Sequence, residues 1–211
     1  MEKISEGIKT PGKRIEIPDT DRGDLPEFFR NRGYKVGVEI GVYKGEYTRQ
    51  LAADGMKVYG IDPWKAYGDY GNNRAGFQAR QDELYEIAKK TVQDFPNVTL
   101  IRKTSMDALR DFKDGSLDFV YIDGHHGFRY VADDIWEWSQ KVRKGGVVSG
   151  HDYGRMKYEK PPRDALTMHV KYVVDAYTEA CGIKNWYVLG RNNPQEGEKG
   201  DRWRSYLWIV E

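Results

Sequence analysis

The sequence predicts an α/β protein whose doubly wound, mostly parallel sheet of seven strands ends in an antiparallel hairpin. Over residues 33–182, short apolar runs alternate with amphipathic helical patterns, which is the order of repeated strand–helix–strand units with right-handed crossovers. The 211 residues, 39% of them hydrophobic, suffice for the core of one domain. The last two apolar runs are joined by a polar, turn-rich connector without a helical pattern, so they predict a hairpin.

The elements can be assigned in order along the chain. Residues 1–22 are polar and predict an N-terminal arm, and residues 23–211 predict a single domain. A short helix is predicted at DLPEFFRNRG, where Asp24 and Glu27 have capping-box spacing. The remaining predicted helices are 45–55, 80–95, 105–112, 129–144 and 164–182. The predicted strands are 35–41, 57–62, 97–103, 117–123, 145–152, 185–190 and 204–210.

Composition and charge exclude several classes of protein. The chain has 34 basic and 33 acidic side chains, and this balance argues against a dedicated binder of nucleic acid or of anionic membranes. Cys181 is the single cysteine, so no intramolecular disulfide can form and a reducing cytoplasm is the expected location. No apolar run approaches the ~20 residues that span a membrane. We expect a small molecule as partner, and the oligomeric state stays open.

The first strand ends in VEIGVYKGEY, directly before a helix. Ligands of such sheets bind beyond the carboxyl ends of the strands, and Gly41 and Gly45 would let the backbone approach one closely. Tyr43 stands where a dinucleotide-binding loop needs a second glycine, which argues against a nicotinamide dehydrogenase. Glu39 suits a cationic ligand that carries an ammonium or sulfonium. A tight strand–helix turn explains the same residues about equally well.

Polar residues follow the next strands as well. Asp62, in GIDPW, can accept hydrogen bonds from both hydroxyls of a ribose, or can cap a turn before Pro63. Ser105, in KTSMDAL, can cap its helix, and together with Met106 it can flank an adenine. The fourth strand ends in YIDGHHGF and the fifth in SGHDY. Carboxylates and imidazoles at these two ends can bind a metal or move a proton.

Four segments now carry a resemblance to a known family. VEIGVYKGE, YGIDPW, GSLDFVYIDGHHGFRYVADDIWEW and KGGVVSGHDY, in this order and spacing, resemble class I S-adenosylmethionine-dependent methyltransferases, especially methyltransferase family 24, which is related to catechol-type and macrolide-sugar O-methyltransferases. The resemblance covers about residues 33–155 and implies a Rossmann-like sheet. It also implies S-adenosylmethionine as the methyl donor, bound by Glu39, Gly41, Gly45, Asp62, Trp64, Ser105, Met106 and Asp123.

The resemblance also implies a metal site and a base. In catechol-type relatives the acid that ends strand four and two adjacent residues that end strand five bind magnesium, which implies Asp123, His151 and Asp152 here. The relatives' base lies three residues after the strand-four acid, so His126, with Asp123, forms the implied catalytic pair. His151 replaces a carboxylate or amide, and imidazole favours manganese, iron or zinc over magnesium. It can equally be a hydrogen-bonded histidine at a strand end. His125 has no role in the pattern.

The expected activity is methyl transfer to a small-molecule hydroxyl, assisted by a divalent metal (Mg or Mn) and a histidine base. Alternatives are an amine, a sugar or a protein side chain as acceptor, or a non-catalytic module that binds the donor. The aromatic, glycine-rich residues 63–80 predict a lid or an acceptor wall, although a passive insertion is nearly as good a reading. Lys157, Lys160 and Arg163 could favour an anionic acceptor, but charges in solvated loops are more common.

Overall fold

A computed structural model describes residues 3–66, 78–154 and 168–211 of the chain. Within these ranges, eight strands form one sheet in the order β1-β7-β8-β6-β5-β2-β3-β4. The strands are β1 (Ile15–Ile17), β2 (Val36–Ile40), β3 (Lys57–Ile61), β4 (Val98–Ile101), β5 (Leu117–Ile122), β6 (Val142–Tyr153), β7 (Trp186–Leu189) and β8 (Arg204–Ile209). The α-helices are α1 (Lys3–Gly7), α2 (Leu25–Asn31), α3 (Glu46–Leu51), α4 (Gln78–Thr91), α5 (Ser105–Ala108), α6 (Phe128–Lys141) and α7 (Val170–Ala180).

The direction of the strands confirms the predicted fold class. β8 runs antiparallel to β6 and β7, and the other neighbouring pairs in the sheet are parallel. The chain winds from β2 through β3 to β4 in one direction, and β5 and β6 continue on the other side of β2. The strand order therefore reverses between β2 and β5, and a crevice for ligands is expected beyond their carboxyl ends.

The prediction of seven strands is one short. β1 pairs in parallel with β7, with Ile15 opposite Tyr187 and Ile17 opposite Leu189. Ile4 and Ile17 are both buried in the core, so the polar segment predicted as an arm supplies an edge strand. Three residues are too few for an alternating pattern to appear in the sequence, and therefore only the pairing with β7 reveals this strand.

Helices cover both faces of the sheet, as a doubly wound fold requires. On one face α6 and α7 bury a stripe that includes Val131, Ile135, Trp138, Val170 and Val174. On the other face α1, α2 and α3 bury Ile4, Leu25, Phe28, Phe29, Tyr47 and Leu51. The predicted helix 164–182 is present as α7, and its first residues lie outside the described ranges. No helix in the part of the chain that the structure describes combines the length and the apolar character that a membrane span needs.

Candidate active site

A cavity of about 490 Å³ lies beyond the carboxyl ends of β2, β3, β4 and β5, at the predicted crevice. Its volume is in the range of pockets that bind small molecules. The residues on its wall include Gly41, Asp62, Ser105, Met106, Asp123 and Asp134. Five of these six are predicted donor-binding residues, so the structure brings most of that set together.

The loop after β2 depends on two glycines with left-handed backbone. Gly41 has φ of +91°, and a Cβ placed there would lie 2.0 Å from the carbonyl oxygen of Asp123. Gly45 has φ of +79° and is the N-cap of α3. Tyr43, between them, is also left-handed, with φ of +55°. Side chains at both glycines would be strained, and at Gly41 the close approach of the loop to the end of β5 also leaves no room for one.

Glu39 lies behind the cavity wall, where it is 2% exposed. Its carboxylate accepts a hydrogen bond from the Thr48 hydroxyl and so joins β2 to α3. Burial raises the pKa of Glu39 to about 8, although the Thr48 hydrogen bond opposes this shift. The structure thus places Glu39 as a support of the glycine loop, and its predicted contact with the donor stays a prediction.

Asp62 holds the same loop from the neighbouring strand. Its Oδ2 accepts hydrogen bonds from the backbone N–H of Val42 at 3.1 Å and of Tyr43 at 3.0 Å. Oδ1 accepts one from the N–H of Trp64 at 2.8 Å. Burial raises the pKa of Asp62, although these backbone hydrogen bonds oppose the shift. Because each carboxylate oxygen can accept more than one hydrogen bond, Asp62 can support the loop and still face a ligand in the cavity.

Trp64, a predicted donor contact, packs beneath the loop. It is 1% exposed and lies in a small cluster with Val42, Leu84 and Ala88. Its indole N–H donates to the carbonyl oxygen of Tyr43 at 2.9 Å. The structure therefore gives Trp64 a role in fixing Tyr43. The predicted lid at residues 63–80 falls largely on residues 67–77, which lie outside the described ranges.

The turn after β4 forms another part of the wall. Thr104, and not Ser105, is the N-cap of α5, because its side chain accepts a hydrogen bond from the N–H of Asp107. The Ser105 hydroxyl instead hydrogen-bonds Asp134, a buried carboxyl group on α6. Burial raises the pKa of Asp134 to about 7, and the Ser105 contact opposes this rise. Sequence reasoning did not single out Asp134, whose only signal is an acid on the apolar side of an amphipathic helix.

Asp123, His126 and Asp152 form a compact group at the ends of β5 and β6. Nε2 of His126 lies 2.7 Å from Oδ2 of Asp152 and 3.8 Å from Oδ1 of Asp123. One possible ligand atom from each of the three residues lies within 4.8 Å of the other two. Asp123 also lines the 490 Å³ cavity, so this group adjoins the space predicted for the donor.

The charges of this group support one another. Burial alone would lower the pKa of His126, but the carboxylates of Asp123 and Asp152 raise it to about 9. Burial alone would raise the pKa of Asp152, but His126 and His151 hold it well below its usual range. Nε2 of His126 is buried without an aligned hydrogen-bond partner in the described structure. The His126–Asp152 contact is thus a close charge pair in which the imidazole nitrogen is not aligned for a hydrogen bond.

His151 lies beside the group and also faces a carboxylate outside it, that of Asp201. Its Nδ1 is 3.5 Å from Oδ1 of Asp152 and 3.9 Å from Oδ2 of Asp123, and its Nε2 is 3.8 Å from Oδ2 of Asp201. Burial would lower the pKa of His151, but Asp152 and Asp123 raise it. Asp201 comes from the polar connector before β8, where the sequence pattern indicated only a turn.

Arg22 contributes a cation from the N-terminal segment. Its Nη1 lies 3.4 Å from Oδ2 of Asp123, and its guanidinium lies 5.3 Å from the centre of the Tyr47 ring. The sequence offered no signal for this contact, which joins residues 101 positions apart. His125, without a predicted role, lines the 490 Å³ cavity and packs its ring 4.0 Å from the ring of Tyr130.

Comparison with known proteins agrees with the fold. The family model described as a methyltransferase domain matches residues 38–153. An O-methyltransferase from Bacillus cereus in complex with SAH is 15% identical with a TM-score of 0.60, and the match covers 90% of this chain and 80% of that one. The N-methyltransferase NodS from Bradyrhizobium japonicum is 14% identical with a TM-score of 0.56, and the match covers 90% of this chain and 95% of that one. At these identities the two structures show a shared fold.

A curated relative is the uncharacterized protein y4gI from Sinorhizobium fredii, which is 30% identical over 122 residues. The match covers 54% of this chain but only 13% of the relative. The chain therefore spans a small part of that longer protein.

The match with the family model, on this fold, defines a methyltransferase domain. The family match covers residues 38–153, more than half of the chain, and ends with β6 and its histidine–aspartate pair. The chain belongs to the methyltransferase-domain family.

Proposed function

We propose that this enzyme transfers a methyl group from S-adenosylmethionine to a hydroxyl of a small-molecule acceptor, beside a bound divalent cation. The observation that carries the proposal is the double position of Asp123. This residue lines the cavity proposed for the donor and also belongs to the Asp123–His126–Asp152 group. An acceptor hydroxyl at that group would therefore lie close to the donor, which is the main requirement for a displacement reaction.

The three side chains fit a divalent cation. Their ligand atoms lie within 4.8 Å of one another, and the buried Nε2 of His126 has no aligned partner in the described structure. Two carboxylates and one imidazole suit Mn²⁺, Fe²⁺ or Zn²⁺ better than Mg²⁺, which prefers oxygen ligands. A cation bound there would lower the pKa of a hydroxyl that it coordinates.

The geometry favours an exchange of the roles predicted for the two histidines. His126 approaches the carboxylate oxygens more closely than His151 does, with a shortest distance of 2.7 Å against 3.5 Å. We therefore assign His126 to the cation. Oδ2 of Asp201 lies 3.8 Å from the far nitrogen of His151, and a carboxylate that closed to hydrogen-bond distance there would orient the imidazole for proton transfer. His151 is accordingly the group proposed to receive the acceptor's proton.

The test is transfer of a labelled methyl group to a panel of hydroxylated and amino acceptors. The protein is first treated with chelator and then supplied with Mn²⁺, Zn²⁺ or Mg²⁺. We expect chelator to abolish transfer to hydroxyls and Mn²⁺ to restore it. Asp123→Asn and His126→Gln should lose the response to the cation. His151→Gln should keep cation binding, lose roughly 10²–10⁴-fold in turnover, and recover in part at high pH.

Three outcomes would change the proposal. Transfer that is unaffected by chelator would remove the cation. Full turnover by His151→Gln with loss in His126→Gln, when cation binding is equal in both, would return the base to His126. Transfer only to amines would favour an amine acceptor. The N-methyltransferase NodS has the same fold.

A further inference from the structure

We call the 490 Å³ cavity proposed for the donor the donor cavity. A second cavity, of about 1090 Å³, lies on the opposite half of the sheet. It is bordered by residues at or beside β1, β6, β7 and β8 and on α7, whereas the donor cavity lies over β2 to β5. Five basic residues line it: Arg14, Lys171, Arg191, Arg202 and Arg204. We call this space the basic cavity.

The basic cavity adjoins the histidine–aspartate group. Asp201 lines the cavity and its Oδ2 lies 3.8 Å from Nε2 of His151. Tyr153, on the same wall, directly follows Asp152 in β6. The histidine–aspartate group therefore stands between two cavities, with the donor cavity on one side and the basic cavity on the other. A molecule in the basic cavity would therefore lie close to the histidine–aspartate group.

The charges on its wall do not cancel. Lys171 pairs with Asp175, Arg191 with Glu198 at 3.2 Å, and Arg204 with Glu16. Arg14 and Arg202 form no ion pair with any carboxylate of the described residues. Arg202 lies 5.4 Å from the centre of the Trp203 ring, and Arg14 approaches the hydroxyl of Tyr153. Two guanidinium groups are therefore available to an anion, and guanidinium groups bind carboxylate and phosphate in a two-point geometry.

Two further observations indicate a ligand site. Oδ2 of Asp201 is buried without an aligned hydrogen-bond partner in the described ranges, and Nε of Arg191 has only the unaligned Glu198 carboxylate at 3.2 Å, although both residues line the cavity. Buried polar atoms are rarely left in this state. Arg14 is a non-glycine residue with φ of +56°, and strain of this kind is concentrated at functional sites.

The wall also has planar apolar surface. Tyr153, Tyr172 and Trp203 line the basic cavity, and aromatic side chains with a few charged groups are typical of sites for organic ligands. This composition fits an organic anion better than a bare inorganic ion.

We propose that the basic cavity is the acceptor site and that it selects acceptors with an oxyanion, a carboxylate or a phosphate, which Arg14 and Arg202 bind. The identity of the ligand as an acceptor rests on the proposed function. Binding of an anion does not, so the two can fail separately.

The test measures binding by calorimetry at constant ionic strength, with SAH present to fill the donor site. The probes are 3,4-dihydroxybenzoate, its uncharged counterpart catechol, and inorganic phosphate. We expect saturable binding of at least one anion, with catechol at least about tenfold weaker than 3,4-dihydroxybenzoate if the carboxylate is recognised. The double variant Arg14→Gln with Arg202→Gln should bind the anion at least tenfold more weakly than the parent. Arg110→Gln, an exposed arginine without an ion pair among the described residues, is the matched control and should change nothing.

Each outcome decides the question. Binding of the benzoate alone or of phosphate alone supports the site and identifies the oxyanion. No saturable binding of either anion overturns it, and so does equal weakening by Arg110→Gln and the double variant. SAH affinity should be the same in the parent and the double variant. If the parent protein does not bind SAH, that result would instead count against the proposed function.

Discussion

Nε2 of His126 lies 2.7 Å from Oδ2 of Asp152, although His126 follows β5, Asp152 lies near the end of β6, and the two residues are 26 positions apart. The contact exists because β5 and β6 are parallel neighbours whose carboxyl ends meet. Asp152 has φ of +60°, so the chain changes direction at this residue. Proton binding by His126 is consequently coupled to the fold.

The first prediction concerns stability against pH with chelator present. His126 has a pKa of about 9 in the folded protein and about 6.5 when unfolded. The folded state therefore binds more protons between these pH values. The stabilisation that protonated His126 gives the folded state is complete below pH 6.5 and is lost as pH rises through 9. We expect this stabilisation to add roughly 2–3 kcal/mol to the free energy of unfolding at pH 6. The free energy of unfolding in urea, measured from pH 5.5 to 9.5, checks this.

His126→Gln supplies the comparison for that experiment, since it cannot gain or lose the proton. The difference in unfolding free energy between parent and variant should shrink as pH rises from 6.5 to 9. Asp152→Asn should weaken the same slope, because it removes the nearer carboxylate. A parent and a His126→Gln variant that run parallel over the whole range would contradict the coupling.

The second prediction separates close packing from backbone strain at the glycine loop. Gly41→Ala and Gly55→Ala both place a Cβ on left-handed backbone, with φ of +91° and +84°. At Gly55 nothing lies within 4 Å of the new Cβ, whereas at Gly41 it would meet the Asp123 carbonyl oxygen at 2.0 Å. We expect about 1–2 kcal/mol of destabilisation for Gly55→Ala and about 1–3 kcal/mol more for Gly41→Ala.

Urea unfolding measures both glycine variants, and SAH titration adds a second readout. Only Gly41→Ala should weaken SAH binding, because Gly41 lines the donor cavity and Gly55 does not. Equal destabilisation by the two variants would mean that the loop and the end of β5 move apart at little cost.

How far the sequence predicts this protein depends on the range of each interaction. The alternation of strands and helices predicts β2 to β8 because each element has its own periodic pattern. β1 has three residues, and only its pairing with β7 defines it. The site follows the same rule. Asp62, Asp123 and Asp152 are visible as acids at strand ends, whereas Arg22 and Asp201 arrive from polar segments that have no such pattern.

The direction of a side chain is also beyond a strand-end pattern. The resemblance implies His151 and Asp152 as adjacent metal ligands, which stays a prediction, and in β6 the register with β8 shifts between Gly150 and Tyr153. His126, from the loop after β5, lies closer to the Asp152 carboxylate than His151 does. Trp64 is similar, because a residue directly after the ribose acid suggests a ligand contact while its ring packs into a cluster under the loop.

The third prediction concerns the predicted ribose acid. Asp62→Ala should weaken S-adenosylmethionine and SAH by about 1.5–3 kcal/mol, the range for hydrogen bonds to charged groups. The variant also leaves the N–H groups of Val42 and Tyr43 without their acceptor, so hydrogen exchange at these two amides should accelerate. Asp94→Ala, an exposed acid outside the cavity wall, is the control. Unchanged donor affinity in Asp62→Ala would leave Asp62 as a support of the loop alone.

The last prediction concerns Asp134, the buried acid on the wall of the donor cavity. Its pKa is about 7 in the folded protein and 3.8 as the reference value, so the folded state binds more protons between these values. Stability should therefore fall as pH rises from about 4 to 7, by on the order of 4 kcal/mol, and then level off. Asp134→Asn cannot ionise and should not show this fall.

Urea unfolding from pH 4 to 8 compares the parent, Asp134→Asn and Ser105→Ala. Ser105→Ala removes the hydrogen bond that opposes the raised pKa, so its loss of stability should extend to higher pH than in the parent. Parent and Asp134→Asn curves with the same slope would show that Asp134 ionises freely. Repeating the titration with saturating SAH asks whether the donor meets this carboxyl group. A hydrogen bond from the ligand would favour the ionised form and flatten the fall, whereas an unchanged slope would leave Asp134 a structural partner of Ser105.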